Sequence, residues 1–133
     1  MSGLAAAIRL RKRQLDALAM RLAGEQAAVN TLLHQREELT RARAAERHLA
    51  VAVPLPCDPW FAHGARRLTA LGKVQAIAEQ RLDALRQEAV QARARLQLLE
   101  DAAAEAARAA DHRREAKAAA ALDDRIAAAW VRR

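Results

Sequence analysis

Large apolar residues recur at alternating spacings of three and four along the first part of the chain. This spacing is typical of the a and d positions of a coiled-coil heptad. The first stripe consists of Leu4, Ile8, Leu15, Leu18, Leu22, Val29, Leu32 and Leu39. Three polar residues interrupt it, namely Arg11, Glu25 and Arg36. The pattern predicts one amphipathic helix from about residue 3 to about residue 49.

The second part of the chain repeats this periodicity. The second stripe consists of Leu68, Leu71, Ala78, Leu82, Leu85, Ala89, Ala92, Leu96, Leu99, Ala103, Ala106 and Ala110. Gln75 is its one polar member, and no proline follows Pro59. We therefore predict a second helix from about residue 59 to about residue 130.

The stretch VAVPLPCDPWFAHG, residues 51–64, separates the two stripes. It contains all three prolines, the one cysteine, the one phenylalanine and one of the two tryptophans: Pro54, Pro56, Pro59, Cys57, Phe61 and Trp60. Proline ends a helix because it lacks an N–H and disfavours helix in the residue before it. Asp58 is the expected N-cap of the second helix, with Pro59 at its first position. Residues 50–58 are thus the predicted tip of a hairpin.

The apolar residues of the tip have two possible roles. They are expected to form a hydrophobic plug over the end of the hairpin, and the alternative is a partner-binding tip. The residues concerned are Val51, Val53, Leu55, Trp60 and Phe61.

Two amphipathic helices joined by a short connection bury their stripes by folding back on each other. The predicted fold class is therefore all-α: residues 1–133 form one long antiparallel coiled-coil hairpin. If the chain turns near residue 56, residues whose numbers add up to about 112 lie opposite each other on the two helices. Ile8 then faces the region of Ala103, and Leu15 and Leu18 face Leu96 and Leu99. The second helix has no partner after about residue 110, so its C-terminal part is expected to protrude.

Composition agrees with long helices, because the chain is 53% apolar but only 2% aromatic, and much of the apolar content is alanine. The net charge is +7, which indicates either an anionic partner or a GC-rich genome that favours arginine codons. The N-terminus does not read as a secretory signal, because its charges follow a short apolar run. No apolar stretch approaches the ~20 residues of a membrane span.

No residue pattern indicates catalysis. The chain has neither a glycine-rich phosphate loop nor an H-E-x-x-H motif. His48, Cys57 and His63 could meet at the tip, but two histidines and a thiol in a loop match a metal site poorly. We therefore expect a protein that is not an enzyme and uses no metal or cofactor.

Two basic clusters are the first candidates for partner binding, and the antiparallel register puts both at the end of the hairpin that holds the termini. The candidate residues are Arg9, Lys12, Arg13, Arg113, Arg114 and Lys117. The alternative is an ordinary solvated surface. Leu122, Ile126 and Trp130 form a third candidate, a ridge at spacings of four on the protruding helix. The ridge is either a docking surface or part of a frayed terminus.

The C-terminal segment RREAKAAAALDDRIAA, residues 113–128, has paired arginines, a glutamate, a lysine and then a leucine followed by acidic residues. This pattern resembles the C-terminal pattern of the flagellar export protein FliJ and its injectisome relatives of the YscO type. The layout of the chain is also similar to theirs, with a basic first helix, a short interrupted middle and a longer second helix.

The resemblance implies a cytoplasmic stalk or export-chaperone component of a type III protein export apparatus, peripheral to the inner membrane. The end that carries the termini would insert into the hexameric export ATPase, and the protein would also contact the export-gate membrane protein and export chaperones. The basic residues at that end would face an acidic ring.

Two other functions remain open. A nucleic-acid-binding coiled coil would carry basic residues along its length, whereas residues 65–111 hold eight basic and seven acidic side chains. A membrane-surface hairpin would need a basic face beside bulky apolar residues along one helix. The clustered charge favours the stalk over both.

Overall fold

The protein is described here by a computed structural model, which covers residues 2–52 and 58–132. It contains two α-helices, α1 (Ser2–Ala52) and α2 (Asp58–Val131), which pack against each other as an antiparallel hairpin. The predicted all-α fold class is confirmed. No strand occurs among the described residues.

Helix α1 is slightly longer than the apolar stripe predicted, because it ends at Ala52 instead of residue 49. Residues 50–52 are Ala-Val-Ala, which contain no helix breaker, whereas Pro54 disfavours helix at residue 53. Helix α2 begins at Asp58, one residue before the predicted start. The predicted cap formed by the Asp58 side chain lies outside the described part of the chain, as do the predicted plug residues Val53 and Leu55.

The contacts of the chain divide it into two units, residues 14–91 and residues 1–13 with 92–133. In the unit of residues 14–91, Val29, Ala78 and Leu82 form the buried core, and Leu22 and Leu32 pack against it. All five belong to the predicted stripes. The stripes are buried because each helix presents one apolar face to the other. Burial of apolar surface stabilises the fold by about 25 cal/mol per Å².

Polar pairs verify the predicted register inside each unit. In residues 14–91, Arg86 Nη2 donates to Gln26 Oε1 at 3.1 Å, and the two residue numbers total 112. In the other unit, Lys12 Nζ lies 3.8 Å from Glu100 Oε1, and these numbers also total 112. The antiparallel alignment expected from a turn near residue 56 is thus confirmed within each unit.

The inner face of α1 continues beyond Leu39 with residues that the apolar pattern did not include. Arg43, Glu46 and Ala50 are half-buried there. Across from Arg43 lies the buried Gly64 of α2, and a Cβ added at Gly64 would lie 3.2 Å from Arg43 Nε. A glycine in the second turn of α2 therefore leaves room for the arginine side chain.

Candidate partner-binding surface

The net charge of the chain is concentrated in the unit of residues 1–13 and 92–133. This unit holds 13 basic and 7 acidic residues, whereas residues 14–91 hold 10 basic and 9 acidic residues. The terminal unit thus carries a net charge of +6, and the other unit carries +1. All nine predicted partner-binding residues belong to the terminal unit.

The basic cluster of α1 is largely solvated. Arg9, Lys12 and Arg13 are exposed, and Lys12 leans toward Glu100 of α2. Such an exposed pair contributes about 0–1 kcal/mol to stability. Among the described residues, no ion pair involves Arg9 or Arg13. These two guanidinium groups are therefore available to an anionic partner.

The basic cluster of α2 is also exposed, but its members differ in their local partners. Arg114 Nη2 lies 2.6 Å from Asp111 Oδ1, three residues earlier on the same helix, so its charge is partly compensated. Arg113 and Lys117 form no ion pair within the described part of the chain. We expect them to contribute more to an interface than Arg114.

A shallow groove runs between the start of α1 and the alanine stripe of α2, where the predicted pairing of Ile8 with Ala103 is observed. The groove is lined by Leu4, Ala5, Ile8, Ala103, Ala106, Ala107, Ala110 and Arg113. Alanine side chains do not fill the space opposite Leu4 and Ile8, so both stay half-buried. Arg113 brings a positive charge to this groove.

The predicted protrusion of α2 is confirmed by exposure within the terminal unit. Ala110 is the last partly buried residue, and every described residue from 111 to 132 is exposed. Residues 111–131 of α2 span about 30 Å at 1.5 Å per residue. None of the described residues in this length of helix is buried or half-buried.

The ridge on the protruding helix is exposed as a set. The exposed fractions are 57% for Leu122, 49% for Ile126 and 70% for Trp130. Ideal helix geometry puts Ile126 about 160° around the helix from Ala110. The ridge therefore lies on the face of α2 that points away from the groove side, so it forms a surface separate from the groove.

At the tip, Trp60 and Phe61 make an edge-to-face contact with ring centroids 5.2 Å apart. Phe61 is half-buried, but Trp60 is 40% exposed and Val51 is 89% exposed. Val51 therefore takes no part in the predicted hydrophobic plug, because helix α1 continues through it and turns its side chain to solvent.

The sequence patterns missed two features near these sites. Arg11, which the pattern presents as an interruption of the stripe, is half-buried in α1 and has an interaction partner. Arg43 and Gly64 meet across the hairpin, and neither was singled out. The continuing three-and-four spacing through residues 43, 46 and 50 could have indicated that Arg43 lies on the inner face.

Neither a metal site nor a membrane span is found among the described residues. They contain no group of three or more His, Cys, Asp or Glu side chains placed to hold a metal ion. Cys57, the thiol of the set that matches a metal site poorly, lies outside that part of the chain. Neither described helix combines the length and apolarity that crossing a bilayer requires.

Comparison with known proteins assigns no family. No protein-family model matches the chain, and no curated protein or solved structure is significantly similar to it.

Proposed function

We propose that the chain is a non-catalytic stalk component of a type III protein export apparatus. Its terminal unit would insert into the hexameric export ATPase and couple that ring to the export gate. The observation that carries the proposal is the concentration of charge: a net +6 lies in the unit that also holds the protruding helix.

Each part of the terminal unit has a role in this proposal. The exposed cations Arg9, Arg13, Arg113 and Lys117 would steer the hairpin into an acidic ring and help to set its register. The exposed ridge would supply the apolar anchor, since large aromatic residues often carry much of an interface energy. The resemblance to FliJ at residues 113–128 adds support from the sequence.

Charge reversal tests the electrostatic part. The variant carries Arg113→Glu, Arg114→Glu and Lys117→Glu. These side chains are exposed, so helicity should be nearly unchanged. Affinity for the hexameric export ATPase of the same cell should fall about tenfold or more, and wild-type binding should weaken with added salt.

A matched control makes the test specific. Arg66, Arg67 and Lys73 are also exposed and lie in the unit of residues 14–91. Changing all three to Glu alters the net charge equally but should leave ATPase binding within about twofold of wild type. Equal losses in both variants, or no loss in either, would remove the terminal cations from the proposed site.

The alternative is a basic coiled coil that binds nucleic acid or another scaffold. The near-balanced charge of residues 14–91 argues against a binding site along the whole hairpin. Titration of the same variants with duplex DNA distinguishes the two. DNA binding at physiological salt that falls with the terminal reversal, without any ATPase binding, would favour the alternative.

A further inference from the structure

Buried side chains are unevenly distributed along the unit of residues 14–91. Arg36 and Gln75 divide this unit into a central segment, residues 14–35 with 76–91, and a tip-proximal segment, residues 37–52 with 58–74. Of the side chains that the structure describes in this unit, the buried apolar ones all lie in the central segment, namely Leu18, Val29, Ala78, Leu82 and Leu85. In the tip-proximal segment, Gly64 is the one buried residue among those described.

The inner face of α1 explains the difference. Beyond Leu39, its half-buried positions are Arg43, Glu46 and Ala50, so two of the next three are charged side chains. Arg43 Nε is shielded from solvent and has no hydrogen-bond partner among the described residues. A buried polar atom without a partner opposes packing, because its lost hydration is not replaced.

The boundary itself is polar. Arg36 Nη1 donates to Gln75 Oε1 at 3.2 Å, where the two helices would otherwise continue their apolar contact. Apolar burial is the main source of stability, and regions with little of it open at lower free energy than the core. The polar pair thus separates a well-packed segment from a poorly packed one.

We propose that the tip-proximal segment opens as one cooperative unit while the central segment stays paired. Opening separates residues 37–52 from residues 58–74 and exposes Leu39, Leu68 and Leu71 to solvent. Each separated helical stretch is then short and unpacked, which makes it marginally stable in water. This inference does not depend on the assignment to an export apparatus.

Native-state amide hydrogen exchange of the full chain tests the proposal. Amides of residues 39–50 and 61–72 should exchange about tenfold or more faster than those of residues 22–32 and 78–89. The amides of the tip-proximal segment should all show the same opening free energy, and this free energy should depend on denaturant concentration in the same way for each of them. A residue-by-residue gradient from the tip, or equal protection in both segments, would overturn the proposal.

A pair of variants gives an independent measurement. Arg43→Leu with Glu46→Leu places apolar side chains on the inner face, and it should slow exchange in the tip-proximal segment about tenfold. The control, Glu37→Leu with Arg41→Leu, makes the same chemical change at exposed positions of the same helix. It should alter exchange less than twofold. Equal effects of the two variants would contradict the proposal.

Discussion

Arg36, one of the three polar members of the first apolar stripe, is hydrogen-bonded across the hairpin to Gln75, the one polar member of the second. Arg36 Nη1 donates a hydrogen bond to Gln75 Oε1 at 3.2 Å, and Gln75 Nε2 in turn donates to Glu79 Oε1 at 3.0 Å. A polar pair at stripe positions favours this alignment, because a shift of one helix would break the hydrogen bond between the two helices. The interruptions at Arg36 and Gln75 are therefore one feature of the register.

Replacing this pair tests that role. Arg36→Leu with Gln75→Leu should raise the unfolding free energy by about 1–2 kcal/mol, because apolar side chains then fill the seam. The same variant should specify the register less strictly. Urea denaturation measures the change in unfolding free energy. Disulfide cross-linking between cysteines introduced on the two helices measures how strictly the register is specified.

The control for the polar pair is Arg41→Leu, a change at an exposed position of α1. It should change stability by less than about 0.5 kcal/mol. A double variant that is less stable than the wild type would show that the hydrogen bond outweighs the apolar gain.

Replacing the helix glycines by alanine should change stability by different amounts at different positions. Gly24 and Gly72 have open space where a Cβ would be added, so Gly24→Ala and Gly72→Ala should each stabilise by up to about 1 kcal/mol through helix propensity. Gly64→Ala should gain less, because Arg43 Nε lies 3.2 Å from the new Cβ and must move. Thermal unfolding of the three variants measures the difference, and equal gains at all three sites would contradict the contact.

The protruding helix should be dispensable for folding. Every described residue from 111 to 132 is exposed, so deleting residues 119–133 removes no buried side chain among those described. The melting temperature should change by less than a few degrees, as expected for a loss well below 1 kcal/mol. Under the proposed function, the same deletion should abolish stimulation of the export ATPase. A large drop in melting temperature would mean that the ridge stabilises the fold.

Trp130 should report directly on partner binding. Its ring is 70% exposed, so burial in an interface should shift its fluorescence to the blue. Trp60→Phe must be introduced first, so that one indole remains. Trp130→Ala should weaken binding by about 2 kcal/mol if the ring is an anchor. The matched control is Val131→Ala, which removes an apolar side chain outside the ridge that is 86% exposed. No spectral shift on saturation with the ATPase would exclude Trp130 from the contact.

The sequence by itself determined the helices, their antiparallel register and the protrusion of α2. These follow from short-range patterns: apolar spacing defines each helix face, the three prolines predict the break between the helices, and unequal helix lengths leave every described residue after Ala110 exposed. Such features need no knowledge of how side chains of one helix meet those of the other.

Only the tertiary structure decided which polar groups meet and where side chains are buried. The pairing of Arg36 with Gln75, and the fit of Arg43 against Gly64, depend on the rotation and spacing of two helices at residues far apart in the chain. The uneven burial on either side of Arg36 has the same origin. A leucine buries its surface only where the facing helix supplies a side chain large enough to cover it, and heptad spacing alone does not contain that information.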